Sequence, residues 1–139
     1  MNTIAPPDLL EVARGTRYPL DAFLFVQRGL DFSVRRIHGE PTEAGDLEPG
    51  VESARHITGR QLCEGLRDFA IHEYGLMARG VLKRYRILGC EDFGRIVYAM
   101  VDSGLMHKTD EDDIREFSGV YDFAEAFAPA LSLSSGSGQ

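Results

Sequence analysis

The sequence predicts a mainly helical domain with a winged-helix-like C-terminal half, built from three helices and, as one alternative, a small β-hairpin. Three observations carry this prediction. Apolar residues recur at helical spacing in three consecutive segments between residues 58 and 104. Glycines follow these segments at positions 75, 89 and 104, where helices commonly end. Two short runs of β-forming residues come after the last glycine. We expect one domain over residues 1–128.

The N-terminal region predicts two helices. A Pro-Pro-Asp start at residues 6–8 opens a short helix that runs through Arg14 and stops at Gly15. Pro19 opens a second helix, and residues 20–30 are apolar nearly all round. We therefore expect that helix to be sandwiched within the fold, or to be buried in a homodimer.

Two segments contain too few apolar residues to contribute to a hydrophobic core. Residues 39–53 are rich in Gly, Pro and acidic side chains, and we predict a mobile acidic loop there. Residues 129–139 are mostly Ser and Gly, and we predict a disordered tail.

The first and third helices of the C-terminal half have clear end signals. Thr58 and Gln61 have the spacing of a capping box, and Gly75 follows the apolar pattern of the first helix. Residues 93–101 place their apolar side chains at helical spacing, and Gly104 stands where a left-handed residue would end that helix.

The middle helix is predicted over residues 76–88 and has two faces. One face is apolar, with Met77, Ala78, Val81, Leu82 and Tyr85. The other carries Arg79, Lys83 and Arg86 one helical turn apart, which makes it a candidate anion- or nucleic-acid-binding face. Further basic residues that could join it are Arg84, or Arg55, His56 and Arg60 at the start of the first helix.

The segment after Gly104 allows two structures. Residues 105–109 and 120–123 could pair as the strands of a hairpin, with the acidic residues 110–113 at the tip of a wing. Alternatively, carboxylates favour the positive end of a helix dipole, which would place a short helix over residues 112–117. The sequence leaves both alternatives open.

Charge is unevenly distributed along the chain. The net charge is −7, yet residues 53–100 carry eight basic and five acidic side chains. There is no basic region followed by an apolar stretch at the start and no long apolar run, so we expect neither secretion nor membrane insertion. The prediction is a cytoplasmic protein that does not bind membranes.

Candidate metal-binding and catalytic residues are few. Cys63 and Cys90 lack metal-ligand spacing, and we expect reduced thiols in the core or at a helix cap; a redox pair would require the two to be close. The four histidines have no repeated ligand spacing, and phosphate-binding and nucleophile-elbow motifs are absent from the sequence. We therefore predict no catalytic residues, no metal and no cofactor, and an enzyme of unknown type is the least favoured alternative.

Short blocks run in fixed order through much of the chain. They are residues 55–59 (RHITG), 62–66 (LCEGL), 77–79 (MAR) after Gly75, 91–94 (EDFG) with Ile96 and Val97, Gly104-Leu105 with Lys108-Thr109, and 120–123 (VYDF) with Ala126-Phe127. This series resembles a family of uncharacterised proteins described chiefly from Planctomycetes and Verrucomicrobia. Two departures are Tyr85 in place of Trp and Cys90 in place of Thr, and the lost Thr predicts a less well capped last helix. The family has no known activity, so the resemblance implies no chemistry.

Three functions follow from these patterns. A winged helix suggests DNA binding, but the outer face of the third helix would offer Asp92, Arg95 and Asp102, a poor match to a polyanion. The basic face would suit structured RNA or an acidic protein. The interpretation we favour is a non-catalytic module that binds an unidentified protein partner. Candidate interaction anchors are Phe117, Tyr121, Phe123 and Phe127, although we favour their docking onto the domain's own core over contact with a partner.

Overall fold

The structure is a computed structural model that describes residues 8–39 and 56–128, and every regular element within these ranges is helical. The mainly helical class is therefore confirmed. The predicted tail at 129–139 and nearly all of the predicted acidic loop at 39–53 lie outside the described residues. The helices are α1 (Leu9–Arg14), α2 (Leu20–His38), α3 (Gly59–Tyr74), α4 (Ala78–Arg84), α5 (Cys90–Asp102) and α6 (Phe123–Ala126), with 3₁₀ turns at Gly75–Met77 and Ile114–Phe117.

Helix ends that depend on local side chains form as the sequence predicts. The Thr58 hydroxyl accepts a hydrogen bond from the Gln61 amide at 3.0 Å, and the Gln61 side chain accepts one from the Thr58 amide at 2.8 Å. Beyond α5, Gly104 has a φ of 85°, and the Leu105 amide donates to the Met100 carbonyl at 2.9 Å. This is the predicted glycine-terminated helix end.

The middle helix is shorter than predicted. α4 ends at Arg84, and the chain reverses at Arg86, whose φ of 67° is left-handed. The Ile87 amide then donates to the Leu82 carbonyl at 2.9 Å, as in a Schellman end. Met77 was predicted on the apolar face, but it precedes α4 and is 68% exposed. The turn after α4 is thus formed at Arg86, whereas Gly89, which was predicted to end this helix, has an extended backbone.

The hairpin is absent from the described residues, and the short-helix alternative is closer to what the structure shows. Residues 105–109 and 120–122 are irregular, and a 3₁₀ turn occupies Ile114–Phe117. Phe117 is buried where Gly59 and Gly94 lack side chains, so a ring packs directly against two helices. This packing outweighs the β-propensity of the flanking residues.

The core forms where α2, α3 and α5 meet. α2 and α3 make the most extensive helix pair, α5 packs against both, and α1 packs against α2. Phe25 is completely buried between Phe69 and Phe93, with ring centroids at 5.5 and 6.4 Å. The prediction that α2 would be sandwiched is wrong, because Leu24 is 41% exposed and Gln27 is exposed beside it.

α2 and α3 approach most closely at Gly65. A Cβ atom built on Gly65 would lie 2.6 Å from the Ser33 Cβ, far inside van der Waals contact. The buried Ser33 hydroxyl donates to the Gly29 carbonyl one turn earlier at 2.7 Å, which fixes its position. The missing side chain at Gly65 therefore sets the distance between the two main helices.

Asp92 caps the N-terminus of α5. The Leu88 and Gly89 amides donate to its Oδ2 at 2.8 and 3.2 Å, so the helix has a carboxylate cap although Cys90 replaces the expected Thr. Asp92 was predicted on an outer face, but it is only 4% exposed. The prediction of an outer position used helical spacing alone, whereas the side chain turns inward because it caps the helix.

The same carboxylate also joins α5 to the α1–α2 turn. Its Oδ1 accepts hydrogen bonds from Arg17 at 3.0 Å, from Arg95 at 2.8 Å and from the Tyr18 hydroxyl. Burial acts to raise the pKa of Asp92, but these hydrogen bonds and the backbone amides outweigh it and hold the pKa below its usual value. Asp92 is therefore bonded to Tyr18 and Arg17, which lie 74 and 75 positions before it in the chain.

Candidate anion-binding site

The predicted basic face divides into two parts. Arg79 and Lys83 are exposed on α4, one turn apart as predicted. Arg86 is not on the same helix face, because α4 ends at Arg84 and the chain reverses at Arg86. The structure instead brings Arg86 beside arginines from the N-terminal region.

An arginine-lined depression lies between the α1–α2 turn and the α4–α5 turn. We call Arg14, Arg17, Arg84 and Arg86 the arginine cluster, since all four line this depression of about 410 Å³. None of the described residues that line it is acidic. Arg14 and Arg17 are separated from Arg84 and Arg86 by about 70 positions, so no local motif reveals the cluster.

The four arginines differ in how far they are already paired. Arg17 donates to Asp92 while its side chain stays 59% exposed, and this hydrogen bond raises its pKa. Arg86 donates to the Arg17 carbonyl at 3.3 Å. Arg14 and Arg84 form no ion pair with a described residue and occupy the last turns of α1 and α4. The helix dipole explains why a basic residue is favourable at the end of each helix. It does not explain why the two arginines lie at the same depression.

Arg86 is the one non-glycine residue with positive φ in the described ranges. A left-handed backbone costs a residue with a side chain about 1–2 kcal/mol, and glycine is usual at this position after a helix. Glycine at position 86 would make the fold more stable, but arginine places a guanidinium at the depression. Strain of this kind is characteristic of binding sites.

We expect Arg86→Gly to increase the free energy of unfolding by about 0.5–1 kcal/mol, because glycine adopts the left-handed conformation without a Cβ clash. Urea unfolding monitored by circular dichroism measures the change. Arg84→Gly, within α4, is the matched control and should lower stability by about 0.5–1 kcal/mol. Destabilisation by both variants would show that the Arg86 side chain contributes more to folding than its backbone costs.

Exposed apolar side chains adjoin the basic part of the surface. Leu76 and Met77 are 71% and 68% exposed in the 3₁₀ turn immediately before Arg79. Leu10 and Leu20 line the arginine cluster itself, and Leu10 is 41% exposed. The surface therefore combines cations with apolar contacts.

The other predicted cations do not join the arginine cluster. Arg55 lies outside the described residues. Arg60 is exposed on α3 near Glu64, with an N–O distance of 3.7 Å. His56 Nε2 lies 2.7 Å from Asp112 Oδ1, so this side chain is engaged in a different site.

The predicted aromatic anchors pack within the domain's own core. Phe117, Phe123 and Phe127 are buried, and Tyr121 is half-buried with its hydroxyl donating to the Cys63 carbonyl at 2.7 Å. Phe123 and Phe127 meet edge to face with centroids 5.0 Å apart. All four thus pack onto the domain's own core, and Tyr121 alone of the four keeps a partly exposed ring.

The two cysteines lie side by side and are free. Both are buried, and the hydrogen bond between the Cys63 and Cys90 thiols, together with burial, raises the pKa of Cys63. The Cys90 thiol also donates to the Tyr121 carbonyl at 3.7 Å. The sequence could not reveal this proximity. Within the described ranges, no group of three or more potential ligands could hold a metal ion.

Comparison with protein-family models, with curated proteins and with solved structures found no match. The resemblance described above therefore stays a prediction. No helix among the described residues is long and apolar enough to cross a bilayer.

Proposed function

We propose that this protein is a non-catalytic binding module that recognises an acidic, partly apolar segment of a protein partner at the arginine cluster. Four arginines converge on one depression that has no acidic side chain among its described lining residues, and this supports the proposal. A cytoplasmic location belongs to the same proposal.

Arginine is suited to this recognition. Its planar guanidinium donates two parallel hydrogen bonds to a carboxylate, and charge-assisted bonds are about twice as strong as neutral ones. Arg14 and Arg84 are exposed and have no ion pair in the described structure to break, so binding does not require rearrangement. Leu10 and Leu20 would contact apolar side chains between the partner's carboxylates.

The overall charge favours a short acidic segment over a long polyanion. The chain carries a net charge of −7, so outside the basic patches its field repels extended nucleic acid. A peptide with a few carboxylates would engage the depression locally. The specificity of such an interface comes from close contacts, and long-range electrostatic attraction of the peptide is limited to the basic surface.

The test is fluorescence anisotropy with a labelled peptide in which Glu alternates with Leu. We expect the double variant Arg14→Gln/Arg84→Gln to bind this peptide at least about tenfold more weakly, as expected for losing charge-assisted hydrogen bonds. The control Arg60→Gln/Arg115→Gln removes the same number of positive charges from other exposed positions, and it should bind the peptide like the wild type. Equal weakening of both variants, or equal binding of a peptide with Gln in place of Glu, would contradict the proposal.

Nucleic-acid binding is a second candidate, supported by the order of α3, α4 and α5 with two short turns between them. In this alternative the three helices form a winged-helix-like scaffold and the arginine cluster contacts phosphates. A short DNA duplex and a hairpin RNA in the same assay distinguish the two candidates. Phosphate contacts predict a salt slope of about −0.9 for each duplex phosphate neutralised.

A further inference from the structure

The chain itself contains a segment with the chemistry that the arginine cluster is proposed to recognise. Residues 40–52 (EPTEAGDLEPGVE) carry five acidic side chains and no basic one, and Leu47 and Val51 lie among them. The 40–52 segment is thus acidic and partly apolar, like the ligand in the proposed function. It lies outside the described residues, but the structure places the chain on both sides of it.

The other acidic stretch of the chain, residues 110–113, is less available. Asp112 accepts a hydrogen bond from His56 at 2.7 Å. Asp113 accepts one from Arg115, with 2.6 Å between its Oδ2 and the guanidinium nitrogen. Two of the four carboxylates are therefore already paired within the domain, and no apolar residue lies among them. This stretch is a poorer match to the arginine cluster.

Both ends of the 40–52 segment are anchored at the C-terminal end of α2. Gly39 directly follows α2, and the described chain resumes at His56. His38 Nε2 lies 2.9 Å from the His56 carbonyl oxygen, so the two ends are close together. The arginine cluster lies at the opposite end of α2, because Leu20, the first residue of this helix, lines it. α2 has 19 residues and is therefore about 28 Å long.

This segment is too short to fill the arginine cluster of its own chain. Three of its five carboxylates, those of Glu40, Glu43 and Glu52, lie within four residues of Gly39 or His56. Four residues span at most about 14 Å when fully extended, which is half the length of α2. The two carboxylates near the middle approach the required distance only with the chain fully extended on both sides. A second copy of the chain has no such limit.

We propose that two copies of this chain form a homodimer in which the 40–52 segment of each copy binds the arginine cluster of the other. This proposal rests on the proposed function, whose partner it identifies as a second copy. Because the segment and the cluster lie at opposite ends of α2, a two-fold axis that sets the two α2 helices antiparallel forms both contacts at once. Two linked contacts bind more tightly than either one alone.

The contacts in this dimer follow from the chemistry of the two surfaces. Arg14 and Arg84 are exposed and form no ion pair with a described residue, so both are available to the partner's carboxylates. Leu10 and Leu20 line the cluster and contact the apolar side chains of the bound segment. Exposed charge pairs are screened by salt, so dimerisation weakens as the ionic strength rises.

Measuring the molar mass of the full chain by light scattering over a range of concentrations tests the proposal. At low ionic strength we expect the mass to rise with concentration from that of a monomer to that of a dimer. The segment variant Glu43→Gln/Asp46→Asn/Glu48→Gln should raise the dimer Kd at least about tenfold, because it removes three of the five charges. A monomer at every concentration, or an unchanged Kd in the segment variant, would overturn the proposal.

The matched control is Asp110→Asn/Glu111→Gln/Glu125→Gln, which removes three negative charges from exposed positions of the described structure. It should dimerise like the wild type or more tightly, because it lowers the repulsion between two acidic chains. Equal weakening by the control and the segment variant would overturn the proposal.

Mixing two variants tests whether the segment of one copy binds the cluster of the other. The segment variant keeps its arginine cluster, and the cluster variant Arg14→Gln/Arg84→Gln keeps its segment, so each supplies what the other lacks. We expect the labelled segment variant to bind the cluster variant at least about tenfold more tightly than it binds itself. Binding of the cluster variant no tighter than self-association would overturn the proposal.

The Glu–Leu peptide of the proposed function distinguishes the two possible failures. If this peptide binds the cluster while the wild-type chain stays monomeric, the proposed function stands and a second copy is not the partner. If neither the peptide nor a second copy binds, the proposed function fails as well. A chain that stays monomeric, but whose segment variant binds the peptide more tightly than the wild type does, would place the segment at its own cluster and overturn the dimer.

Discussion

Asp92→Asn is expected to lower the free energy of unfolding by about 3 kcal/mol, a large part of the 5–15 kcal/mol typical of a domain. The buried carboxylate accepts hydrogen bonds from two amides, two arginines and a tyrosine. Asparagine keeps one acceptor oxygen but turns an NH₂ group toward donors, so several donors lose their partner. Chemical denaturation at neutral pH measures the loss.

The control for this variant is an exposed aspartate with one ionic partner. Asp31→Asn on α2 removes a carboxylate 3.2 Å from Arg35 in an exposed i, i+4 pair, and such pairs contribute little. Its stability should stay close to that of the wild type. If both variants lost the same free energy, general charge effects would explain the result, and the role of Asp92 would be refuted.

The pH dependence of this effect has a defined sign. The pKa of Asp92 is lowered in the folded state, so its contribution is complete above the ordinary carboxyl pKa of about 4 and is lost as pH falls through the folded-state value. The stability difference between wild type and Asp92→Asn should therefore shrink below about pH 4. A difference that stayed constant down to pH 2 would contradict the shifted pKa.

The elements that the sequence predicts well are those whose signals are local. The capping box of Thr58 and Gln61 and the glycine end at Gly104 each depend on residues within one turn of chain. α4 shows the limit of this approach, because helical spacing continued past Arg84 although the backbone reversed at Arg86. A left-handed arginine has no sequence signature, whereas a glycine does.

The candidate site and other long-range contacts could not be predicted, because they join distant parts of the chain. The arginine cluster depends on the α1–α2 turn meeting the α4–α5 turn, and the Arg17–Asp92 hydrogen bond spans 75 positions. The His56–Asp112 pair spans 56 positions. For Asp92, a carboxylate three residues after Gly89 was a usable signal of a helix cap, and hence of a side chain turned toward the backbone.

Gly65→Ala should destabilise the domain by about 2 kcal/mol or more, since overpacking costs about 1–3 kcal/mol and this contact is severe. The added Cβ would lie 2.6 Å from the Ser33 Cβ, so α2 and α3 must move apart. The helices form the most extensive pair in the fold, and any separation loosens the core beneath them. Thermal and urea unfolding both measure this effect.

Gly80→Ala is the matched control, because it makes the same chemical change on a helix where a Cβ meets nothing within 4 Å. Alanine is favoured over glycine in a helix by about 1 kcal/mol, so this variant should be more stable than the wild type. The two glycine-to-alanine changes are thus expected to have opposite signs. Destabilisation by Gly80→Ala would show that α4 depends on a flexible backbone there, and helix propensity would not explain the result.

A double variant separates steric overlap from other effects of Gly65→Ala. Adding Ser33→Gly removes the overlapping side chain and leaves only the Ser33 Cα, which would lie 3.5 Å from the new Cβ in ordinary contact. Ser33→Gly alone should cost about 1 kcal/mol through helix propensity. If overlap with Ser33 sets the helix distance, the double variant will be more stable than the sum of the single effects predicts, with a coupling of about 1 kcal/mol or more. Additive losses would mean that Gly65 is required for another reason, and that the close approach of α2 and α3 does not depend on this pair.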